Sequence, residues 1–350
     1  MSRHFLITGG AGFIGSNYAS HLLMKGEKVS IFDNLSRSGS RLNLEWLNRK
    51  FGQNSFSLVN GDIRDADLMD KTAAEADVIV HLAGQVAVTS SVIDPRFDFD
   101  TNALGTLNIL EAARKSKRNP VVLYASTNKV YGEMDQLVVM EDDKRYYYRD
   151  YPQGVDEKQP LDFHSPYGCS KGCGDQYVRD YQRIYGLRTV VLRQSCIFGP
   201  RQFGVEDQGW VAWFIIACQT GTTIKIYGNG KQVRDLLYID DLMRAYDLAI
   251  ENSSISAGNI YNVGGGARNA LSVWKEFGSI LSSIHGREIN VEWGDWRPGD
   301  QKIFVSDTHK AGKELNWQPQ IGAEEGIRLL YDWVKDNLRL FKNFQQSTGS

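Results

Sequence analysis

Tyr167 and Lys171 stand four residues apart in the run Tyr167-Gly-Cys-Ser-Lys171. On a helix that spacing puts a phenol and an ammonium on one face. A tyrosine holds its proton to a pKa of about 10, but a neighbouring cation favours the phenolate. A phenolate can take the proton of a hydroxyl while a hydride leaves the same carbon. Two other pairs share the spacing, Tyr227/Lys231 and Tyr331/Lys335. The first is interrupted by Gly228 and Gly230 and reads as a loop, and the second lies in a terminal helical pattern that no strand faces. Only Tyr167/Lys171 is preceded by a strand, 121–125, that ends in two hydroxyls, Ser126 and Thr127. A hydroxyl there can hydrogen-bond the same substrate oxygen.

A second constellation supplies a place for the hydride carrier. Thr8-Gly-Gly-Ala-Gly-Phe-Ile-Gly15 lies between a short apolar run, 4–8, and a stretch with Ile14, Tyr18, Leu22 and Leu23 on one helical face. Glycines at 9, 12 and 15 have separate uses: a sharp turn off the strand, close approach of backbone to a pyrophosphate, and tight helix–strand packing. The helix N-terminus adds free N–H groups and the positive end of its dipole. Asp33 ends the next strand, 29–32. A carboxylate there accepts from the adenosine ribose hydroxyls and repels a 2′-phosphate, which favours NAD over NADP. Arg37 keeps NADP open. Asp62 and Ile63, after a third strand at 56–59, either bracket the adenine or, for Asp62, cap a helix.

The elements that must carry these residues alternate. Further strand-like runs at 78–82, 121–125 and 189–193 are separated by helical stretches at about 100–115 and 166–185. That alternation predicts an α/β fold with a doubly wound parallel sheet. Beyond residue 199 short glycine-punctuated segments predict a smaller C-terminal substrate lobe. The expected division is 1–198 plus about 236–263 for the cofactor domain, about 199–235 and 264–340 for the lobe, and a frayed tail at 341–350.

The glycine loop, His81-Leu-Ala-Gly84, Ser126-Thr127 with Val130-Tyr-Gly132, and Tyr167-x-x-x-Lys171 resemble the extended short-chain dehydrogenase/reductase family that acts on nucleotide sugars. The resemblance covers nearly the whole chain. It implies a Rossmann sheet and tightly held NAD, reused within one turnover. It implies Thr127 or Ser126, with Tyr167 and Lys171, as the catalytic set, Lys171 also holding the nicotinamide ribose. Cofactor contacts are implied at Gly9, Gly12, Phe13, Ile14, Gly15, Asp33, Asn34, Asp62, Ile63, Leu82, Ala83, Gly84 and Ser195. Arg234 and Arg297 would hold the diphosphate and Asp300 the nucleotide ribose, with Gln85, Asn128 and Arg201 beside the substrate. Surface Arg–Asp pairing is the alternative for the arginines, and local turn bonding for Gln85 and Asn128. Glycines at 228, 230 and 299 would let backbone approach phosphate.

Dehydratases of the family carry an Asp-Glu pair after the threonine, where this chain has Asn128 and Lys129. Epimerisation or simple oxidation and reduction remain. The stretches 83–87, 126–132 and 161–171, with Arg201-Gln-Phe203 and Asp207-Gln-Gly-Trp210, look closest to the CDP-sugar 2-epimerases. Gly172-Cys-Gly174 and Ser195-Cys196 depart from them. A UDP-sugar 4-epimerase and a non-catalytic NAD-sensing protein are the competing readings. A homodimer or homotetramer through the helices at 100–115 and 166–185 is implied.

The remaining features narrow the classes. The 350 residues carry 40 Lys+Arg against 42 Asp+Glu, so no basic excess calls for nucleic acid. The longest apolar stretch, 211–218, is too short for a membrane span. Four cysteines without a CxxC pair fit a reducing, cytoplasmic setting. The six histidines show no metal-ligand spacing, so no metal is expected. Cys169 and Cys173 read as packing residues. Trp210, Trp213 and Phe214 read as lobe core or as a base-stacking platform. The long segment 132–163, with Glu141-Asp-Asp143 and Tyr146-Tyr-Tyr148, is either a solvated insertion or a substrate-covering loop.

Overall fold

The computed structural model describes residues 2–37, 39–297 and 300–341. Seven strands form one parallel sheet: β1 (His4–Thr8), β2 (Lys28–Asp33), β3 (Ser57–Asn60), β4 (Val78–His81), β5 (Val121–Thr127), β6 (Thr189–Gln194) and β7 (Ile260–Val263). Their order is β7-β6-β5-β4-β1-β2-β3. The chain runs outward from β1 to β3 and returns to the other side at β4. Ligands in such sheets bind beyond the carboxyl ends of the strands where the order reverses.

Alternate side chains of each strand feed two separate cores. Phe5 and Ile7 pack into one with Tyr18, Leu22, Val29 and Ile31, while Leu6 packs into the other with Ile79, Ile109 and Val122. Strands buried on both faces are what a parallel sheet between helical layers requires. The first layer contains α1 (Phe13–Met24) and α2 (Ser40–Phe51). The second contains α3 (Gly105–Lys115) and α4 (Ser165–Tyr185). Pro166 in the first turn of α4 suits a position whose N–H has no helical partner, and Gly186 ends the helix in the left-handed region.

The smaller lobe contains short strands, Ile224–Tyr227, Val233–Asp235, Ala270–Ser272, Val291–Gly294 and Ile303–Phe304. The segment 132–163 is neither a solvated insertion nor a cover over the main cavity. Met134, Leu137, Tyr146, Tyr148 and Val155 are buried against Val233, Ala270, Ile303 and Phe304 of the lobe. Its hairpin, Val139–Glu141 with Tyr146–Tyr148, is held by Arg145, which pairs with Glu276 and donates to the Ala270 carbonyl.

Phe341, assigned from sequence to a frayed tail, is fully buried against Trp333 and Phe203. An aromatic ring at the end of the terminal helical region gains more from that pocket than from solvent. Gly299 and residues 342–350 lie outside the described residues. No helix among the described residues is long and apolar enough to cross a membrane.

Candidate active site

A cavity of about 740 Å³ opens at the carboxyl ends of β1, β2, β4 and β5. Gly9, Gly12, Phe13, Ile14, Gly15, Asp33, Asn34, Asp62, Ile63, Leu82, Ala83 and Gly84 all line it, and Thr127, Tyr167 and Lys171 stand in the same space. The volume is that of a cofactor-sized site.

The three loop glycines differ in what surrounds them. Gly9 has φ +69°, and a Cβ there would lie 2.8 Å from the Ala83 nitrogen of the neighbouring chain segment. A Cβ on Gly15 would overlap Gly9 and Gly10 where the helix packs on the strand end. Gly12 meets only the Gly9 oxygen, at 3.2 Å. Its open side faces the cavity, where a side chain would fill the space a pyrophosphate needs. The loop therefore fits a dinucleotide.

Asp33 has a second duty that the sequence did not reveal. Its Oδ2 accepts from the Ala11 N–H at 3.0 Å and its Oδ1 from the Leu35 N–H at 2.8 Å. The carboxylate thus ties the glycine loop to the end of β2 while lining the cavity. Burial pushes its pKa up, and those two N–H donors oppose the rise. Asp62 is not a helix cap: it pairs with Arg64 at 2.7 Å, and Asp65 caps the next helix through the Leu68 N–H. Arg37 donates to Gln208, joining the β2 side of the cavity to the lobe.

At the reactive end, Lys171 donates from Nζ to the Ala125 carbonyl at 2.7 Å and lies over the Tyr124 ring at 4.1 Å. Burial lowers its pKa to about 7, while Asp175 and Asp98 act against that fall. Burial raises the Tyr167 phenol to about 12, and a hydrogen bond from Thr127 pulls the other way. The chain's own groups therefore hold the Tyr167 proton in place. Added positive charge beside the ring is needed to release it near neutrality.

Thr127 and Ser126 separate cleanly. β5 alternates its side chains, so Thr127 faces Tyr167 while Ser126 donates to Asp175 at 2.7 Å. Ser126 lines the cavity too, but its hydroxyl is engaged by Asp175, which favours Thr127 as the hydroxyl that meets Tyr167. Asp175 is also held by Arg193 through two bonds of 2.9 Å, which fixes α4 to β6.

Two further expectations are corrected. Ser195 points away from the cavity and donates to the buried Asp235, and Gln194 and Cys196 line the cavity in its place. Arg201 is 8% exposed and stacks between Trp46 and Trp333, at 4.5 and 5.4 Å, outside the cavity lining. Gln85 does line the cavity, but its amide closes a turn on Ala87 through both polar atoms. Asn128 lines the cavity with its Oδ1 near the Thr127 hydroxyl, at 3.4 Å. Asn34 lines it too, with Oδ1 accepting from Ser36.

Arg234, Arg297 and Asp300 are not among the residues that line the cavity. Arg234 donates to Asp300 at 3.1 Å and to the Gln301 carbonyl at 2.8 Å. Arg297 stacks on Tyr227 at 3.8 Å beside Glu206 and Asp207. Trp210 lines the cavity and donates to Cys196, while Phe214 packs among Trp210, Trp274 and Phe277. Cys169 is exposed, against its expected burial.

Sequence reading missed Asn102. It sits in a π-helical turn, Asp100–Leu104, ahead of α3. Its Oδ1 accepts from the Gln85 N–H at 2.9 Å, and its Nδ2 reaches Asp98 and Ser170 at 3.1 Å each. It thereby joins the loop after β4 to the catalytic helix. The only local signal is its i+4 spacing from Asp98.

A family model described as GDP-mannose 4,6 dehydratase matches residues 6–330. The chain is 45% identical over 339 residues to CDP-paratose 2-epimerase of Salmonella typhi, covering 94% of this chain and 98% of that protein. UDP-glucose 4-epimerase of Thermotoga maritima, solved with UDP-glucose, superposes with a TM-score of 0.81 at 31% identity, covering 96% and 99% of the two chains. A dTDP-glucose 4,6-dehydratase of Streptomyces venezuelae, solved with NAD, gives a TM-score of 0.83 at 29% identity, covering 97% and 99%. The chain belongs to the GDP-mannose 4,6 dehydratase family of extended short-chain dehydrogenases/reductases and is an NAD-dependent enzyme.

Proposed function

We propose that the enzyme inverts C2 of a CDP-linked sugar of the paratose/tyvelose kind. The observation that carries this reading is the 45% identity to CDP-paratose 2-epimerase across almost the full length of both chains. The residues after Thr127 agree with it. Asn128 and Lys129 provide no carboxyl acid to expel water, so the dehydratases of the family are poorer models.

NAD, when bound, supplies the acceptor and later the donor of one hydride at a sugar carbon. Gly9, Gly12 and Gly15 would admit its pyrophosphate, and Asp33 its adenosine ribose. Thr127 and Tyr167 would meet the sugar hydroxyl together. Once ionised, Tyr167 Oη would take the hydroxyl proton as the carbon becomes a ketone and return it after the sugar has turned its other face. Lys171, whose Nζ lies over the Tyr124 ring, would hold the nicotinamide ribose, and Arg234 and Arg297 would anchor the diphosphate while the sugar rotates.

The choice of carbon follows from ring chemistry. A ketone acidifies only its neighbouring C–H bonds. Oxidation at C4 would loosen C3 and C5, not C2, so C2 is inverted most directly by being oxidised itself. NMR of products from a panel of CDP-, UDP-, GDP- and dTDP-sugars tests the reading. Inversion at C2 of a CDP-sugar supports it, and inversion at C4 of a UDP-sugar replaces it with the second reading. That second reading has support from the T. maritima enzyme and from a 34% identical putative UDP-glucose 4-epimerase of Methanocaldococcus jannaschii. The complete Thr127, Tyr167, Lys171 set argues against a non-catalytic sensor, which has no use for it.

A further inference from the structure

Lys129 lies two residues past Thr127, in the short 3₁₀ turn Asn128–Tyr131 that follows β5. It is half-buried. Its Nζ donates to Gln301 Oε1 at 3.2 Å. Gln301 is buried and its amide nitrogen donates to the Gly132 carbonyl, so its side-chain oxygen is fixed. Arg234 binds the other end of the same residue, donating to the Gln301 carbonyl at 2.8 Å. One glutamine therefore holds a lysine and an arginine side by side.

The charges around this pair do not cancel. Asp300 is the carboxylate of the cluster, and Arg234 engages it at 3.1 Å. Among the described residues Lys129 has no ion pair within 4 Å. Glu133, farther along the loop, lies by His164 at 3.6 Å and is largely exposed. Cys196 faces Lys129 from the chain after β6, and burial pushes its thiol up to about 11, so it is neutral. Burial first, and Arg234 second, lower the Lys129 ammonium to about 8, with Asp300, Cys196 and Glu133 opposing. Two cationic side chains thus share one glutamine, and the one carboxylate beside them is bonded to Arg234, which leaves positive charge that an anion would balance.

We propose that Lys129 is a third cationic contact for the substrate's diphosphate, beside Arg234, and that the neutral fraction of its amine is protonated when the diphosphate binds. This rests on the nucleotide-diphosphate-sugar reading above. The step is a simple protonation: the neutral amine becomes an ammonium, and buffer supplies the proton. A lysine serving only to fix Gln301 would not touch the ligand, so its replacement by methionine would leave affinity within a few-fold.

Calorimetric titration of the NAD-loaded enzyme with CDP-glucose at pH 8.5, in two buffers of different ionisation enthalpy, tests this. The ligand has no group that titrates near that pH, so any proton taken up belongs to the protein. The expected uptake is more than half a proton per site, because an amine titrating near 8 is mostly neutral at pH 8.5. Lys129→Met should lose the uptake and bind at least tenfold more weakly. Lys129→Arg, which is always charged, should keep affinity within a few-fold and also lose the uptake. Binding by the unaltered enzyme without uptake overturns the proposal, as does undiminished uptake in Lys129→Met. Failure of CDP-, UDP-, GDP- and dTDP-sugars alike to bind the unaltered enzyme would overturn the substrate reading itself.

Discussion

The Ser126 hydroxyl donates to the Asp175 carboxylate at 2.7 Å, although its neighbour Thr127 faces Tyr167. Two adjacent hydroxyls at the end of one strand therefore have different duties. Ser126→Ala should leave kcat within about twofold and lower stability by roughly 1–3 kcal/mol, since a buried charged acceptor loses a donor. Thr127→Val should lower kcat by on the order of 10²-fold and cost about 1 kcal/mol of stability, because the hydroxyl also accepts from the Lys129 N–H that caps the next turn. Steady-state kinetics with thermal melts distinguish the two. Equal losses of kcat would show that both hydroxyls reach the substrate.

The glycine loop gives a graded prediction for the cofactor. Gly12→Ala adds a methyl on the open, cavity-facing side, and should weaken NAD at least tenfold with little change in melting temperature. Gly15→Ala would overlap Gly9 and Gly10, so it should destabilise the fold itself. Asp33→Ala should weaken NAD and also loosen the loop, because Ala11 and Leu35 lose their acceptor. NAD titrations monitored by protein fluorescence, paired with melts, separate these outcomes. Destabilisation by Gly12→Ala equal to that by Gly15→Ala would refute the assignment.

Lys171 ties catalysis to folding through pH. Burial lowers its folded pKa to about 7, below that of an exposed lysine. Between pH 7 and about 10.5 the unfolded chain holds its proton more firmly, so stability rises with pH through that window. The penalty is complete below pH 7 and disappears above about 10.5. NAD-free Lys171→Met lacks this slope. Its stability relative to the unaltered chain should fall by up to roughly 3–5 kcal/mol as pH is raised from 7 to 10. Denaturant titrations across the window measure it, and parallel pH profiles for the two proteins would contradict it.

Arg201 and Arg234 make a matched pair of controls. Arg201 is stacked between Trp46 and Trp333, and burial lowers its pKa to about 10. Arg201→Ala should cost roughly 1–3 kcal/mol of stability, with KM for the nucleotide sugar nearly unchanged. Arg234→Ala should raise KM at least tenfold. A large KM change with normal stability in Arg201→Ala would restore that residue to the substrate.

Much of the cofactor half was legible because its signals are local. The Gly9, Gly12, Gly15 spacing, Asp33 at a strand end and the Tyr167/Lys171 helix face each lie within one βα unit. What escaped depends on residues distant in the chain. Arg201 reads as a substrate contact until Trp46 and Trp333, from two other helices, close on it. Ser126 resembles a catalytic hydroxyl until Asp175 appears behind the strand. The tyrosines of 146–148 read as a loop because their apolar partners, Ile303 and Phe304, come more than 150 residues later. Asn102 was hidden for the same reason, since its importance lies in joining Gln85 to Ser170.

The central claim is that one carbon, C2, loses and regains a hydride without exchanging with water. Turnover of CDP-paratose in heavy water, followed by NMR at C2, tests it most directly. Inverted product should carry no solvent deuterium at C2. Substantial deuterium at that carbon would mean proton abstraction beside a C3 ketone and would rule out hydride transfer at C2.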